Sequence, residues 1–125
     1  MKIVTVLVVD DDEEFRETLV KRLDRRGVSV RGANSGRDAL DKLGEQAADV
    51  VLLDQKMPGM DGLEALRAIK QNHPRTTVIL LSGHASLETA LEGMRRGATD
   101  YLLKPCTADE IMIKIQESLQ PDAAS

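Results

Sequence analysis

Short apolar runs alternate along the chain with stretches that mix apolar and charged residues. The runs are rich in valine, leucine and isoleucine, and the first of them, residues 3–9, is continuous enough for a strand that is buried on both faces. Strands are expected at residues 3–9, 28–33, 50–53, 77–81 and 99–103. Strands that alternate with helices predict an α/β domain with a doubly wound, five-stranded parallel sheet that helices cover on both faces.

The stretches between the strands carry apolar residues at helical spacing. Phe15, Leu19 and Leu23 share one face of the first helix, which is expected at residues 14–26. Capping and turn residues indicate where each later helix begins. Four further helices are expected to begin near Ser35, Gly62, Ser86 and Thr107.

The fourth of these helices carries an apolar stripe. It consists of Leu87, Ala90, Leu91 and Met94. We expect the stripe to face the core, because apolar residues on one helical face are usually buried. Any exposed remainder of the helix is then available as a docking face.

Polar residues stand where the predicted strands end. Asp10 and Asp11 follow the first strand, Asp54 follows the third, Ser82 follows the fourth and Lys104 follows the fifth. The carboxyl ends of parallel strands line one edge of an open sheet, and ligands bind at that edge. The sequence therefore predicts that these residues meet in one site.

Carboxylates that are brought together repel each other unless a cation joins them. A like-charged pair about 4 Å apart costs about 4 kcal/mol at an effective dielectric constant near 20. Lys104 supplies one positive charge, and Mg²⁺ fits the remaining demand because it prefers oxygen ligands. A carboxylate beside Mg²⁺ and a lysine suits phosphoryl transfer, in which an aspartate oxygen is the nucleophile.

Composition limits the classes of partner. The net charge of −4, without a basic stripe, argues against direct nucleic-acid binding. No apolar run approaches the roughly 20 residues of a membrane helix. Cys106 is the only cysteine, which rules out an internal disulfide, so we expect a cytoplasmic protein that does not bind membranes.

Four segments resemble the receiver domain of two-component response regulators. They are residues 8–11, 53–62, 81–83 and 97–105. The resemblance extends over nearly the whole chain, with each segment at the end of a predicted strand. It implies a flavodoxin-like strand order of 2-1-3-4-5, with the receiver domain in residues 1–120 and a tail in residues 121–125.

The resemblance also implies roles at the matching positions. Asp54 is expected to be the phosphoacceptor, charged by a sensor histidine kinase or a phosphotransfer protein. The carboxylates of Asp10, Asp11 and Asp54 and the backbone carbonyl of Lys56 are expected to bind Mg²⁺. Lys104 is expected to pair with the phosphoryl group. The domain then phosphorylates and dephosphorylates itself without a separate turnover substrate, so it is not an enzyme in the usual sense.

A conformational switch is part of the same expectation. Ser82 is expected to bond the phosphoryl group, and Tyr101 to turn inward as Ser82 moves. The Lys104–Pro105 peptide bond is expected to be cis. The output face is formed by the fourth helix, the fifth strand and the fifth helix, and a homodimer through this face is possible.

The residues leave alternatives open. A small Mg²⁺-dependent phosphatase could use Asp54 or Asp10 as its nucleophile, and an interaction module could work without phosphorylation. Gln55 departs from the family, which usually has an apolar residue there. Lys56 and His84 occupy positions that tune the lifetime of the phosphoryl group. The sequence decides neither that lifetime nor whether an output domain follows.

Overall fold

Five parallel strands form where the apolar runs predicted them. The computed structural model describes residues 3–55, 60–83 and 87–119. The strands are β1 (Thr5–Val9), β2 (Ser29–Ala33), β3 (Val50–Asp54), β4 (Thr77–Ser82) and β5 (Asp100–Leu103). The helices are α1 (Glu13–Asp24), α2 (Gly36–Glu45), α3 (Gly62–Asn72), α4 (Leu87–Arg95) and α5 (Ala108–Leu119).

The sheet has the strand order β2-β1-β3-β4-β5, with parallel pairing throughout. This confirms the doubly wound α/β fold with flavodoxin-like topology that the sequence predicted. The proposed domain boundary at residue 120 stays a prediction, because residues 120–125 lie outside the described ranges.

Two apolar layers lie on opposite faces of the sheet, because successive strand residues point to opposite sides. Val6 and Val8 of β1 pack into the layer beneath α1 and α5. Leu7 and Val9 pack into the other layer, which includes residues of α2 and α3. All four are fully buried, which explains why β1 is apolar along its whole length.

Side-chain caps fix where α2 and α5 begin. Ser35 accepts a hydrogen bond from the backbone N–H of Asp38 at 3.0 Å, as its position before α2 predicted. Thr107 and Glu110 form a reciprocal capping box before α5, in which the Glu110 N–H donates to the Thr107 hydroxyl at 3.1 Å. Ser86, the expected cap of α4, lies outside the described residues.

The predicted orientation of α4 was wrong for two residues. Leu91 and Met94 are each 45% exposed instead of facing the core, and the side chain of Leu87 lies outside the described residues. The reason is Gly93, which faces the sheet so closely that a Cβ there would lie 2.3 Å from Cδ1 of Leu80. Because α4 approaches the sheet through a glycine, its larger apolar residues turn toward the surface.

The pairing of the strands places the predicted site residues at the same edge of the sheet. Val9 of β1 pairs with Leu53 of β3, so Asp10 and Asp54 follow side by side on neighbouring strands. Ser82 pairs with Leu103, so Lys104 comes next to the end of β4. The Lys104–Pro105 peptide bond is cis, as expected.

Candidate functional site at the carboxyl edge of the sheet

Asp10 lies at the end of β1 and is only 1% exposed. Its Oδ1 accepts a hydrogen bond from the backbone N–H of Asp12 at 2.9 Å. Its Oδ2 accepts one from Nζ of Lys104 at 2.8 Å. Both oxygens of this buried carboxylate are therefore held in fixed directions, which keeps its desolvation cost low.

Asp54 closes β3 and is 7% exposed, and Asp11 projects from the loop after β1 with an exposed side chain. Together with Asp10, each offers a carboxylate oxygen, and these oxygens lie within 4.8 Å of one another. The three acids that the sequence predicted to meet are thus brought together.

The charge of Asp54 is poorly solvated. Burial is the main cause that raises the pKa of Asp54 above its ordinary value, and the charge of Asp10 adds to it. The charge and hydrogen bond of Lys104 act in the opposite direction without cancelling the rise. Asp54 is therefore a carboxylate that gains from any further positive charge placed beside it.

Lys104 connects the two buried acids. Its Nζ lies 2.8 Å from Oδ2 of Asp10 and 3.3 Å from Oδ1 of Asp54. Burial alone lowers the pKa of Lys104, but the hydrogen bond and charge of Asp10, followed by those of Asp54, outweigh it and raise that pKa. The ammonium therefore stays charged at neutral pH and neutralises one of the three carboxylates.

Ser82 lies on β4, next to the strand that carries Asp54, and Tyr101 lies on β5, the strand beyond it. Ser82 is 4% exposed, and its backbone carbonyl accepts a hydrogen bond from the backbone N–H of Lys104 at 2.8 Å. Tyr101 is half-buried on β5 and packs against the apolar layer beneath α2 and α3. The backbone thus ties the end of β4 to the residue that carries the ammonium.

The loop after Asp54 is anchored at its far end by Gly62. The N–H of Gly62 donates to the carbonyl of Gln55 at 2.8 Å. A Cβ at Gly62 would lie 2.5 Å from Cα of Gln55 and 2.7 Å from the carbonyl oxygen of Asp54. Only glycine therefore lets α3 begin so close to the site. Lys56 and its carbonyl lie outside the described residues.

Two site contacts were not anticipated from the sequence. The ring of Phe15, which the helical pattern placed simply on the core side, has its centroid 4.2 Å from Nζ of Lys104. Nη1 of Arg16 donates to the backbone carbonyl of Asp10 at 2.9 Å, and Gly32 leaves room for its stem. A helical pattern reports which face is buried and gives no signal for such long-range partners.

The three carboxylates fit a magnesium ion. Mg²⁺ binds oxygen at about 2.1 Å in an octahedron, so opposite ligands stand about 4.2 Å apart. The oxygens of Asp10, Asp11 and Asp54 already lie within 4.8 Å of one another, and Asp11 opens the cluster to solvent. Lys104 leaves two of the three negative charges for a divalent ion to balance.

A flavodoxin-like sheet with an acid cluster and a lysine at its carboxyl edge defines a receiver domain. The family model of the response regulator receiver domain matches residues 6–116, and the chain belongs to this family. Receiver domains are signalling domains of two-component systems, in which phosphorylation and Mg²⁺ binding at an acidic pocket are typical.

Similar curated proteins are longer regulators. The regulatory protein AtoC of Escherichia coli (strain K12) is 41% identical over 115 residues, which are 92% of this chain and 25% of AtoC. The DNA-binding transcriptional regulator NtrC of Klebsiella pneumoniae is 40% identical over 112 residues, which are 90% of this chain and 24% of NtrC. The chain thus spans about a quarter of the length of these relatives.

Solved structures agree with this assignment over the whole fold. The chemotaxis protein CheY4 of Vibrio cholerae superposes with a TM-score of 0.89 at 32% identity, covering 94% of this chain and all of that one (100%). The receiver domain of NtrX from Brucella abortus gives a TM-score of 0.86 at 36% identity, covering 91% of this chain and 97% of that one.

Among the helices of the described ranges, none combines the length and the apolar character that a membrane span requires.

Proposed function

We propose that this receiver domain accepts a phosphoryl group onto Asp54 from a sensor histidine kinase or a phosphotransfer protein, in a reaction that requires Mg²⁺. The observation that carries the proposal is the cluster of Asp10, Asp11 and Asp54 with Lys104 hydrogen-bonded into it. A structural role alone does not account for two buried acids at one edge of the sheet, because the repulsion between their charges lowers the stability of the fold.

In the proposed transfer, one oxygen of Asp54 attacks the phosphorus of the donor. A new O–P bond forms as the bond from phosphorus to the donor breaks, and the donor leaves with that electron pair. Lys104 already lies 3.3 Å from Oδ1 of Asp54, so it is placed to pair with the phosphoryl oxygens. Later attack by water on phosphorus breaks the O–P bond to Asp54, releases inorganic phosphate and restores the free carboxylate. The chain thus acts on itself without a separate turnover substrate.

The metal ligands in this proposal are the carboxylates of Asp10, Asp11 and Asp54 and the backbone carbonyl of Lys56. When bound, Mg²⁺ supplies positive charge that neutralises the phosphoryl oxygens. Asp10 is oriented by the N–H of Asp12 and by Lys104, so the chain itself sets the direction of this ligand.

The proposed switch begins with the added charge. A phosphoryl group brings about −1.5 to −2 charges to the edge of the sheet, which draws Lys104 and the Ser82 hydroxyl toward it. The backbone bond between Lys104 and the Ser82 carbonyl supports coupling between these two residues. Tyr101 lies on β5, which pairs with the strand of Ser82, and is proposed to turn inward as Ser82 moves.

The proposed output surface is the face of α4, β5 and α5. It exposes the apolar side chains of Leu91, Met94, Leu103 and Ile113. Exposed apolar side chains on adjoining elements favour a protein partner. We propose that this face contacts an output domain or a second copy of the chain, without binding nucleic acid or membrane directly, in a cytoplasmic regulator.

The test is incubation with acetyl phosphate and Mg²⁺, followed by measurement of bound phosphoryl groups and of released phosphate. We expect one labile phosphoryl group per chain, lost in Asp54→Asn. Asp61→Asn is the matched control, since Asp61 caps α3 through the Glu64 N–H and asparagine also caps helices. Failure to take up phosphate contradicts the proposal. Sustained hydrolysis of unrelated phosphomonoesters supports the phosphatase instead.

A further inference from the structure

Phe15 presents its aromatic ring to the ammonium of Lys104. The distance from Nζ to the ring centroid is 4.2 Å, well inside the range of about 6 Å over which a cation is attracted to a ring face. Phe15 itself is half-buried and packs against the apolar layer beneath α1 and α5. The ring of Phe15 therefore contacts both the apolar layer and the Lys104 ammonium.

Two hydrogen bonds near the start of α1 position Phe15 relative to the site. The N–H of Phe15 donates to Oδ1 of Asp12 at 3.1 Å, and the N–H of Asp12 donates to Oδ1 of Asp10 at 2.9 Å. Lys104 closes the path by donating to Oδ2 of Asp10 at 2.8 Å. These contacts link Asp10, Asp12, Phe15 and Lys104 to one another. The Phe15 ring and the Asp10 carboxylate both contact the Lys104 ammonium.

We propose that Phe15 is a positioning residue for phosphoryl transfer, whose ring keeps the Lys104 ammonium beside Asp54 through a cation–π contact. This inference rests on the proposed function of Asp54. The lysine stem has four flexible carbons, so the ammonium loses much rotational freedom when it is held in one place. A preformed contact reduces that loss before the phosphoryl group arrives.

The ring differs from the other partners of Lys104 in one respect. Asp10 and Asp54 are carboxylates, and both belong to the cluster that fits a metal ion. A carboxylate that turns toward a metal has less charge to offer the lysine. The ring is neutral and is not a ligand for Mg²⁺, so its contact with the ammonium does not compete with the metal.

Apolar packing is the competing explanation for Phe15. If the ring only fills space against the apolar layer, its size matters and its electron distribution does not. If the ring holds the ammonium, withdrawing electron density from its face weakens the contact even at constant shape. An experiment that changes the ring electronically therefore separates the two roles.

The chain makes this experiment site-specific, because Phe15 is its only phenylalanine. Biosynthetic replacement of phenylalanine by its 4-fluoro, 3,5-difluoro and 3,4,5-trifluoro forms changes that ring alone. We expect the rate at which acetyl phosphate and Mg²⁺ phosphorylate Asp54 to fall stepwise with fluorine number, by about three- to tenfold in total. Phe15→Leu should fall at least as far, and Phe15→Tyr should restore most of the rate.

Two results overturn the positioning role. One is an unchanged rate across the fluorinated series, and the other is a Phe15→Leu chain that reacts as fast as the unmodified one. Either result assigns Phe15 to packing. Thermal unfolding of each fluorinated chain serves as the check that the fold is intact at the assay temperature.

A second measurement does not depend on phosphoryl transfer. In the 4-fluoro chain, the fluorine resonance should shift on Lys104→Met and stay in place on Lys70→Met, since Lys70 lies on α3 and bonds the Thr76 carbonyl. An unmoved resonance in Lys104→Met overturns the contact itself. If the unmodified chain takes up no phosphoryl group, the proposed function fails, and the fluorine resonance then decides on the contact alone.

Discussion

Asp10 and Asp54 are acidic residues that the fold buries away from water. Each is less than a tenth exposed, and Lys104 bonds both. Burial costs a carboxylate its hydration, and a neighbouring negative charge adds repulsion. One ammonium compensates only part of this. At the scale of single residues, the site is therefore held in a state that costs stability until a cation binds.

The stability cost of burying Asp54 can be measured, because it depends on the pKa of this residue. Its pKa in the folded chain lies above the ordinary 3.8, so the folded state binds the proton more tightly than the unfolded state does. The free energy of unfolding therefore falls as the pH rises from about 3.8 through the folded-state pKa. At neutral pH, the ionised carboxylate carries the whole penalty.

We expect Asp54→Asn to raise the free energy of unfolding at pH 7 by about 1 kcal/mol, in buffer that contains a chelator. The advantage of the variant should shrink as the pH approaches 3, where Asp54 is protonated in both states. Urea unfolding curves at several pH values measure this difference. A variant that is less stable than the wild type at pH 7 contradicts the account of the charge.

Helices and strands were predictable wherever burial alone decides their pattern. The run at residues 3–9 predicted β1, and the ends of the first, third and fifth strands predicted that the three acids and Lys104 would meet. What the pattern did not contain was the rotation of α4. That rotation depends on the close approach of Gly93 to Leu80, a contact between distant parts of the chain. The ring contact of Phe15 with Lys104 was missed for the same reason.

The start of α3 offers a test of how closely an element can approach the site. Gly62→Ala places a methyl group against the backbone of Asp54 and Gln55, which cannot move aside as a side chain can. We expect the free energy of unfolding to fall by about 1–3 kcal/mol, and phosphorylation to slow because Asp54 is displaced. Chemical unfolding and the acetyl phosphate assay measure the two effects.

Gly44→Ala is the matched control for that substitution. Gly44 lies in α2, and a Cβ there would meet nothing within 4 Å. Alanine is a better helix former than glycine, so this variant should be more stable than the wild type by up to about 1 kcal/mol. Equal losses in the two variants would show that the contact of Gly62 with the Asp54 backbone is unimportant.

At the scale of the whole molecule, a ligand that binds only the folded state stabilises all of it. Mg²⁺ at about 100 times its dissociation constant adds about 2.7 kcal/mol. For a domain of this size, that raises the melting temperature by about 10 °C. Differential scanning calorimetry with increasing Mg²⁺ should therefore show a progressive rise at neutral pH.

Asp11→Asn separates metal binding from general salt effects in that titration. Asp11 is exposed, so its replacement should change the stability of the metal-free chain little, while it removes one ligand of the cluster. We expect the variant to need much more Mg²⁺ for the same rise in melting temperature. An identical response from both chains contradicts a shared ion at the three carboxylates.

The fold of the chain was predictable to the order of its strands. The chain covers about a quarter of the length of relatives such as AtoC and NtrC. The pattern of residues does not specify a stimulus or a binding partner, because both depend on the shape of surfaces. The apolar side chains of Leu91 and Met94 became visible as a candidate docking surface only once the orientation of α4 was known.

The most direct measurement is to map the phosphorylated residue by tandem mass spectrometry after brief incubation with acetyl phosphate. We expect a single modified residue, Asp54, when Mg²⁺ is present, and an almost unmodified chain when a chelator replaces it. Modification at another residue, or equal modification of Asp54 without a divalent ion, would contradict this expectation.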